Sequence, residues 1–139
     1  MAVFNKFDSF SEAIAEKVHN LGSDVLKVML TNSAPIASNT VKANLTDISA
    51  GNGYTAGGTA ASITSSAQTS GTYKLVLADV TFTASGGSIG PFRYVVLYND
   101  TATNKELIGW YDYTSAITLL NGESFLVDFD ATNGVLTIA

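Results

Sequence analysis

The sequence predicts a mainly β protein, an antiparallel β-sandwich or jelly-roll-like barrel with one short N-terminal α-helix. Three observations predict it. Only one segment, near the N-terminus, carries apolar residues at helical spacing. Downstream of it come short apolar or alternating runs, each closed by Gly, Asn, Asp or Ser. Asn121-Gly122 and Asn133-Gly134 then mark the C-terminal part with the dipeptide that favours tight turns between strands.

The helix comes first. Ser9-Phe10-Ser11-Glu12 matches a capping box, with Ser9 as cap and Glu12 as its answering side chain. Phe10, Ile14, Val18 and Leu21 follow at helical spacing, and Gly22 stands where a C-terminal cap is expected. Val3, Phe4 and Phe7 form an apolar leader ahead of it, suited to dock on the chain's own core or on a neighbour. Residues 1–22 are therefore leader and helix, and residues 23–139 a single β-domain.

Within that domain, residues 25–31 place Leu26, Val28 and Leu30 on one strand face. Residues 32–58 are punctuated by Pro35 and by Gly51, Gly53, Gly57 and Gly58, with a hint of an element only at 41–48. A stretch so poor in regular pattern is expected to be a functional arm or loop. Residues 59–64 suit a short strand and 65–71 a turn. Residues 73–83 form a strand whose buried face switches near Ala78-Asp79, which suggests a bulge. Residues 91–98 set Phe92, Tyr94, Val96 and Tyr98 on a core face against Arg93, Val95 and Leu97. Strands follow at 105–111, at 117–120 and 124–129 as a type I′ hairpin, and at 135–138.

Composition bounds the function. At 139 residues the chain is one domain, and folding should bury roughly two-thirds of its unfolded surface. Hydrophobic residues make up 46%, which excludes disorder from apolar poverty. Charged residues make up only 14%, against roughly 25% in ordinary soluble domains. Ser, Thr, Asn and Gly replace them, a mixture suited to surfaces that meet other protein. Seven basic residues against 12 acidic ones give a net charge of −5, and the basic residues are never adjacent. A phosphate-tracking surface needs clustered Lys and Arg, so nucleic-acid binding is excluded. One His and no Cys exclude zinc-finger, thiol and disulfide chemistry. No apolar run approaches the ~20 residues of a membrane span, and Asp8 and Glu12 interrupt any secretory signal. The expectation is a chain made in the cytoplasm.

Several patterns look like chemistry. Gly86-Gly87-Ser88-Ile89-Gly90 fits the spacing of a nucleophile elbow, but Pro91 and a strand pattern follow where a helix is required. The triad His should also lie downstream, whereas His19 lies far upstream. Gly51-Asn52-Gly53-Tyr54-Thr55-Ala56-Gly57 is one residue off a dinucleotide fingerprint and opens no helix, so a tight turn is expected. His19 has neither nucleophile nor orienting partner in view, which favours an ordinary surface or half-buried residue. Asp128 and Asp130 share one strand face. They could hold Ca²⁺ with further oxygens, but the alternation with Val127 and Phe129 favours a solvated face. Trp110, Tyr111 and Tyr113 form a candidate aromatic interface, with Trp110 and Tyr111 on opposite faces.

Three phrases carry a resemblance. They are Ile48-Ser49-Ala50-Gly51-Asn52-Gly53-Tyr54-Thr55-Ala56-Gly57-Gly58, Phe92-Arg93-Tyr94-Val95-Val96-Leu97-Tyr98-Asn99-Asp100, and the ending from Gly122-Glu123-Ser124-Phe125 to Asn133-Gly134. Together they resemble small virion proteins of tailed bacteriophages that decorate or cement the head. The similarity is one of phrase and texture across most of the chain, not of a diagnostic motif. It implies a β-rich, homo-oligomeric structural protein that binds the major capsid protein on the outside of the assembled capsid and stabilises joints between its subunits. It also implies no cofactor, no metal and no enzymatic turnover, and location in the virion. Expected contacts are either the leader, Val3, Phe4 and Phe7, or the arm around Gly51, Asn52, Gly53 and Tyr54. An alternative is a carbohydrate- or receptor-binding module of a phage tail or fibre using Trp110 and its neighbouring tyrosines. A polysaccharide hydrolase comes third.

Overall fold

The computed structural model describes residues 2–139. In chain order the elements are β1 (Phe4–Lys6), α1 (Ser9–Ala15), β2 (Leu26–Thr31), a 3₁₀ turn (Lys42–Asn44), β3 (Thr59–Ala61), β4 (Ile63–Thr69) and β5 (Thr72–Leu77). Then come β6 (Val80–Thr83), β7 (Ile89–Asn99), β8 (Leu107–Leu119), β9 (Ser124–Val127) and β10 (Leu136–Ile138). The strands form a five-stranded sheet β1-β8-β7-β2-β3, a three-stranded sheet β10-β5-β4 and a two-stranded sheet β6-β9. Every strand pair is antiparallel. The fold is mainly β with one short helix, as the sequence predicts, and it is layered like a sandwich. Leu26, Val28 and Leu30 of β2 and Val95 and Leu97 of β7 share the main core with Leu75 and Leu77 of β5, Phe82 of β6 and Val127 of β9.

The large sheet is buried on both faces, which the sequence reading did not anticipate. In β7, Val95 and Leu97 enter the main core, while Val96 and Tyr98 enter a second, smaller one. That second core also holds Phe7, Met29, Leu45 and Leu107, with Trp110 packed against it. Central strands covered on both sides carry continuous apolar runs instead of clean alternation. The cover is residues 32–58 together with Phe7. The stretch has little regular structure, as expected, yet it folds back across the sheet instead of projecting as an arm. Backbone bridges Thr31↔Asp47 and Val41↔Glu106 fasten it. Tyr98 donates its hydroxyl proton to the carbonyl of Gly57 at 2.6 Å.

Local expectations need correction at several points. The capping box does not form: the residue before the helix is Asp8, in helical geometry, and no side chain caps the first turn. The helix stops at Ala15, well short of Gly22. Lys17 takes the left-handed conformation at φ 67°, and Val18 N–H bonds back to the carbonyl of Ala13, a Schellman-type stop built on a lysine. Val18 and Leu21 therefore pack from a loop. The switch at Ala78-Asp79 is not a bulge but a change of sheet, because β5 pairs with β4 and β10 while β6 pairs with β9. Residues 65–69 belong to strand β4, and only Ser70 and Gly71 turn, at φ 51° and 84°. Asn121-Gly122 makes no type I′ hairpin. Only Gly122 has positive φ, Glu123 N–H bonds to the carbonyl of Leu120, and β9 pairs with β6 instead of β8. That is type II turn geometry, with Gly at its third position. The segments at 105–111 and 117–120 belong to one long strand, β8, which bulges between the pairs Tyr94↔Asp112 and Phe92↔Ile117 around Thr114 at φ 70°.

Candidate functional site

The structure sorts the expected contact residues. In the leader, Val3 is 74% exposed, whereas Phe7 is wholly buried with its ring 4.6 Å from that of Trp110. Phe4 is half-buried and packs edge-on against Tyr111. Phe7 is thus part of the core, not a contact residue. In the Gly-rich turn, Gly51, Asn52 and Gly53 are exposed while Tyr54 is buried. This turn is docked on its own chain. Ser85 N–H bonds to the carbonyl of Asn52, the Asn52 side-chain amide donates to the carbonyl of Ser88, and a Cβ on Gly53 would lie 2.3 Å from the Thr83 carbonyl oxygen. Close backbone approach explains Gly53 and a φ of +121° explains Gly51, so both glycines serve a tight turn rather than a phosphate-type loop.

Tyr54 and Gly57 instead form a clasp around Asp47. The Asp47 carboxylate accepts from Tyr54 OH at 2.5 Å and from Gly57 N–H at 2.6 Å, and Leu30 N–H donates to the Tyr54 oxygen. Burial, reinforced by the hydrogen bond to Asp47, pushes the Tyr54 hydroxyl well above its ordinary value, so it stays a donor. Asp47→Ala is expected to destabilise the fold by about 3 kcal/mol, since two buried donors lose a charged acceptor. Urea unfolding checks it.

The aromatic set does not form an open platform. Trp110 is half-buried against Phe7, Tyr111 lies in the main core, and Tyr113 stacks edge-on against Phe125 at 5.0 Å. Trp110 and Tyr111 do point to opposite faces, but each face is covered. Gly86 to Gly90 leads straight into β7, so no nucleophile elbow exists. Asp128 and Asp130 lie beyond the end of β9. Asp130 closes a turn by accepting from the backbone N–H and side-chain amide of Asn133 and from the N–H of Thr132, and these bonds hold its carboxyl below the usual range. Among the described residues, no three His, Cys, Asp or Glu side chains group to hold a metal, and no helix is long and apolar enough to cross a membrane. Three of the seven cations pair internally: Lys27 and Lys105 meet Asp100, and Arg93 grips Asp112 through two hydrogen bonds.

Two features escaped the sequence reading. The first is the free edge of β4, whose sequence Ile-Thr-Ser-Ser-Ala-Gln-Thr has no charge and no proline. It pairs with β5 on one side only. The positive φ of Ser70 and Gly71 marks a two-residue hairpin, so Thr69 and Thr72 form a hydrogen-bonded pair. By alternation, the backbone groups of Ser66 and Gln68 point away from β5, toward solvent.

The second is a cleft of about 1060 Å³ between the loop after α1, the turn at 101–106 and the inner face of the β4-β5-β10 sheet. His19 lines it, 4% exposed, with its ring stacked on Phe10. Asn99 sets the imidazole tautomer. Its Oδ1 accepts from Thr101 and Ala102 N–H, which leaves the amide protons for Asp24 Oδ2 at 2.7 Å and His19 Nδ1 at 3.0 Å. Nδ1 is therefore an acceptor and Nε2 carries the proton. Neither His19 Nε2 nor Glu106 Oε2 has a hydrogen-bond partner, though both are buried. Each such group costs about 1–3 kcal/mol when left unmet. Sequence gave no local signal for this network, since His19, Asp24, Asn99 and Glu106 come from three separate stretches.

Burial lowers the His19 pKa from 6.5, opposed in part by the carboxylates of Glu106 and Asp24. The unfolded chain therefore takes up a proton at His19 that the folded protein refuses. Stability should be constant above about pH 6.5 and fall on acidification below it, by at most about 1.4 kcal/mol per pH unit. Denaturant midpoints between pH 5 and 8 check this, and His19→Phe should flatten the slope.

No protein-family model, curated protein or solved structure matches the chain.

Proposed function

We propose that the chain is a structural virion protein that binds the outside of an assembled phage capsid and stabilises joints between major capsid protein subunits. The observation that carries this reading is the open edge of β4. Monomeric β proteins blunt such edges with charge, proline or cover, because an unpaired strand recruits another chain. Here seven uncharged residues stand unprotected at the edge of a sheet. The charge-poor composition supports the same reading, as does the two-sided packing that makes the domain a firm tile. Exposed apolar side chains at Val3, Ile36, Leu120 and Leu126 add further contact surface. Many copies bound by symmetry need only modest contacts each, since avidity multiplies them.

Co-sedimentation with expanded capsids lacking the protein tests the proposal, with unexpanded procapsids as control. Saturable binding to expanded heads at a fixed ratio to capsid subunits is expected. No binding to either particle would refute it.

A further inference from the structure

We propose that β4 pairs with β4 of a second copy, antiparallel about a two-fold axis at Ala67, so that two copies share one continuous sheet. The inference rests on the reading above of an open edge that recruits another chain, and it names that chain. The usable edge is short and bounded at both ends. Ser70, at φ 51°, turns the chain away after Thr69, and the register with β5 shifts between Ile63 and Ser65. Between these limits only Ser66 and Gln68 direct their backbone N–H and C=O groups outward, because Ser65, Ala67 and Thr69 spend theirs on β5.

Those limits select one register. A hydrogen-bonded pair across a new antiparallel edge sets one outward residue opposite another. An axis at Ser66 would pair Gln68 with Thr64, which lies in the register shift. An axis at Gln68 would pair Ser66 with Ser70, which is in the turn. Only an axis at Ala67 sets Ser66 of each copy opposite Gln68 of the other, so that every outward group of both edges is met.

The side chains match themselves across that axis, as a contact between identical patches requires. Ala67 meets its own copy in a non-hydrogen-bonded pair, where Cα atoms come within about 4.5 Å, and its methyl group leaves room for the approach. Ser65 falls opposite Thr69 and Ser66 opposite Gln68, pairs whose hydroxyl and amide groups can hydrogen-bond across strands. No residue of β4 is charged, so no like charges face each other. Lys74, the one charged residue paired to β4 from β5, has its Nζ bound to the carbonyl of Thr132. A partner of another sequence would not require this self-match.

The joined sheet runs from β10-β5-β4 of one copy into β4-β5-β10 of the other. An axis normal to that sheet keeps both cores on one side, and the pair becomes a bivalent clamp with two identical capsid-facing surfaces. The contact is small, so free copies pair only when concentrated. Copies held at neighbouring capsid sites pair through their high effective concentration.

The test is an NMR concentration series on the isotope-labelled full chain. In about 0.15 M salt, which damps repulsion between copies of net charge −5, the Ser66 and Gln68 amides should shift together as the protein approaches about 1 mM. Ala67→Glu and Ala67→Lys, which set like charges at the axis, should each weaken pairing by about tenfold or more, and mixing the two variants should restore it. Ala67→Cys gives an independent measure, since the chain has no cysteine of its own. Under mild oxidation it should form a linked dimer about tenfold faster than Thr69→Cys, whose paired copies would sit roughly 13 Å apart, beyond the ~7 Å reach of a disulfide. Amides that do not shift with concentration would overturn the inference. So would an unchanged shift in the Glu variant, a mixture that fails to pair, or equal cross-linking of the two cysteine variants. Protein that binds capsids without this pairing refutes the inference alone. Protein that pairs but binds no capsid refutes the virion reading alone.

Discussion

Gly58→Ala will unfold much of the population under conditions where the wild-type chain is fully native. Gly58 has φ +83°, and a Cβ there would lie 1.8 Å from the Val28 carbonyl oxygen, 2.6 Å from its carbon and 2.9 Å from Met29 Cα. These are backbone atoms of β2, held between β3 and β7, so nothing flexible can give way. The left-handed conformation alone costs alanine about 1–2 kcal/mol. With the overlap, the total should reach about 4 kcal/mol or more, a large share of the 5–15 kcal/mol typical of a domain. Gly71→Ala is the control, since that glycine also has positive φ but meets nothing within 4 Å. It should lose only about 1–2 kcal/mol. Equilibrium urea unfolding of the two variants separates backbone conformation from steric closure of the cover.

Phe7→Ala should cost about 3–5 kcal/mol, the range for removing a fully buried aromatic ring. The loss falls on the second core, where Phe7 lies among Met29, Val96, Tyr98 and Leu107 and against Trp110. The lone tryptophan reports it: emission should shift to the red in the native baseline as the indole loses its neighbour. Val3→Ala should stay within about 0.5 kcal/mol, because Val3 is 74% exposed. The pair separates a buried anchor of the leader, Phe7, from an exposed side chain, Val3. Truncation through Phe7 would therefore confound capsid binding with unfolding, whereas substitution of Val3 alone would not.

The fold class was legible because strand periodicity is local. Leu26, Val28 and Leu30 announce a strand wherever they end up. Strand partners were not legible. Asn121-Gly122 suggests that the flanking strands pair with each other, yet β9 joins β6 because Val80 and Phe82 bury their side chains in the same core. Residues 32–58 lacked periodicity because their hydrogen bonds run to turns and to the sheet they cover. Two of their glycines, Gly53 and Gly58, mark backbone pressed against backbone. β4 was hidden for the opposite reason: an exposed edge strand of Ser, Thr and Gln has no apolar face to show a period of two. The cleft was invisible because the residues that line it come together only in the folded chain. His19 looked like an ordinary half-buried histidine, and the bond from Asn99, 80 residues away, is what fixes its proton.

Hydrogen exchange on the capsid-bound protein tests the central claim most directly. Free protein and protein bound to expanded heads would be exchanged in parallel, quenched and compared amide by amide. The account predicts strong new protection at Ser66 and Gln68, whose N–H groups face away from β5, with little change at Ala67 and Thr69, already bonded to it. Capsid binding with Ser66 and Gln68 still exchanging as in the free protein would contradict it, since the open edge would then take no part in assembly.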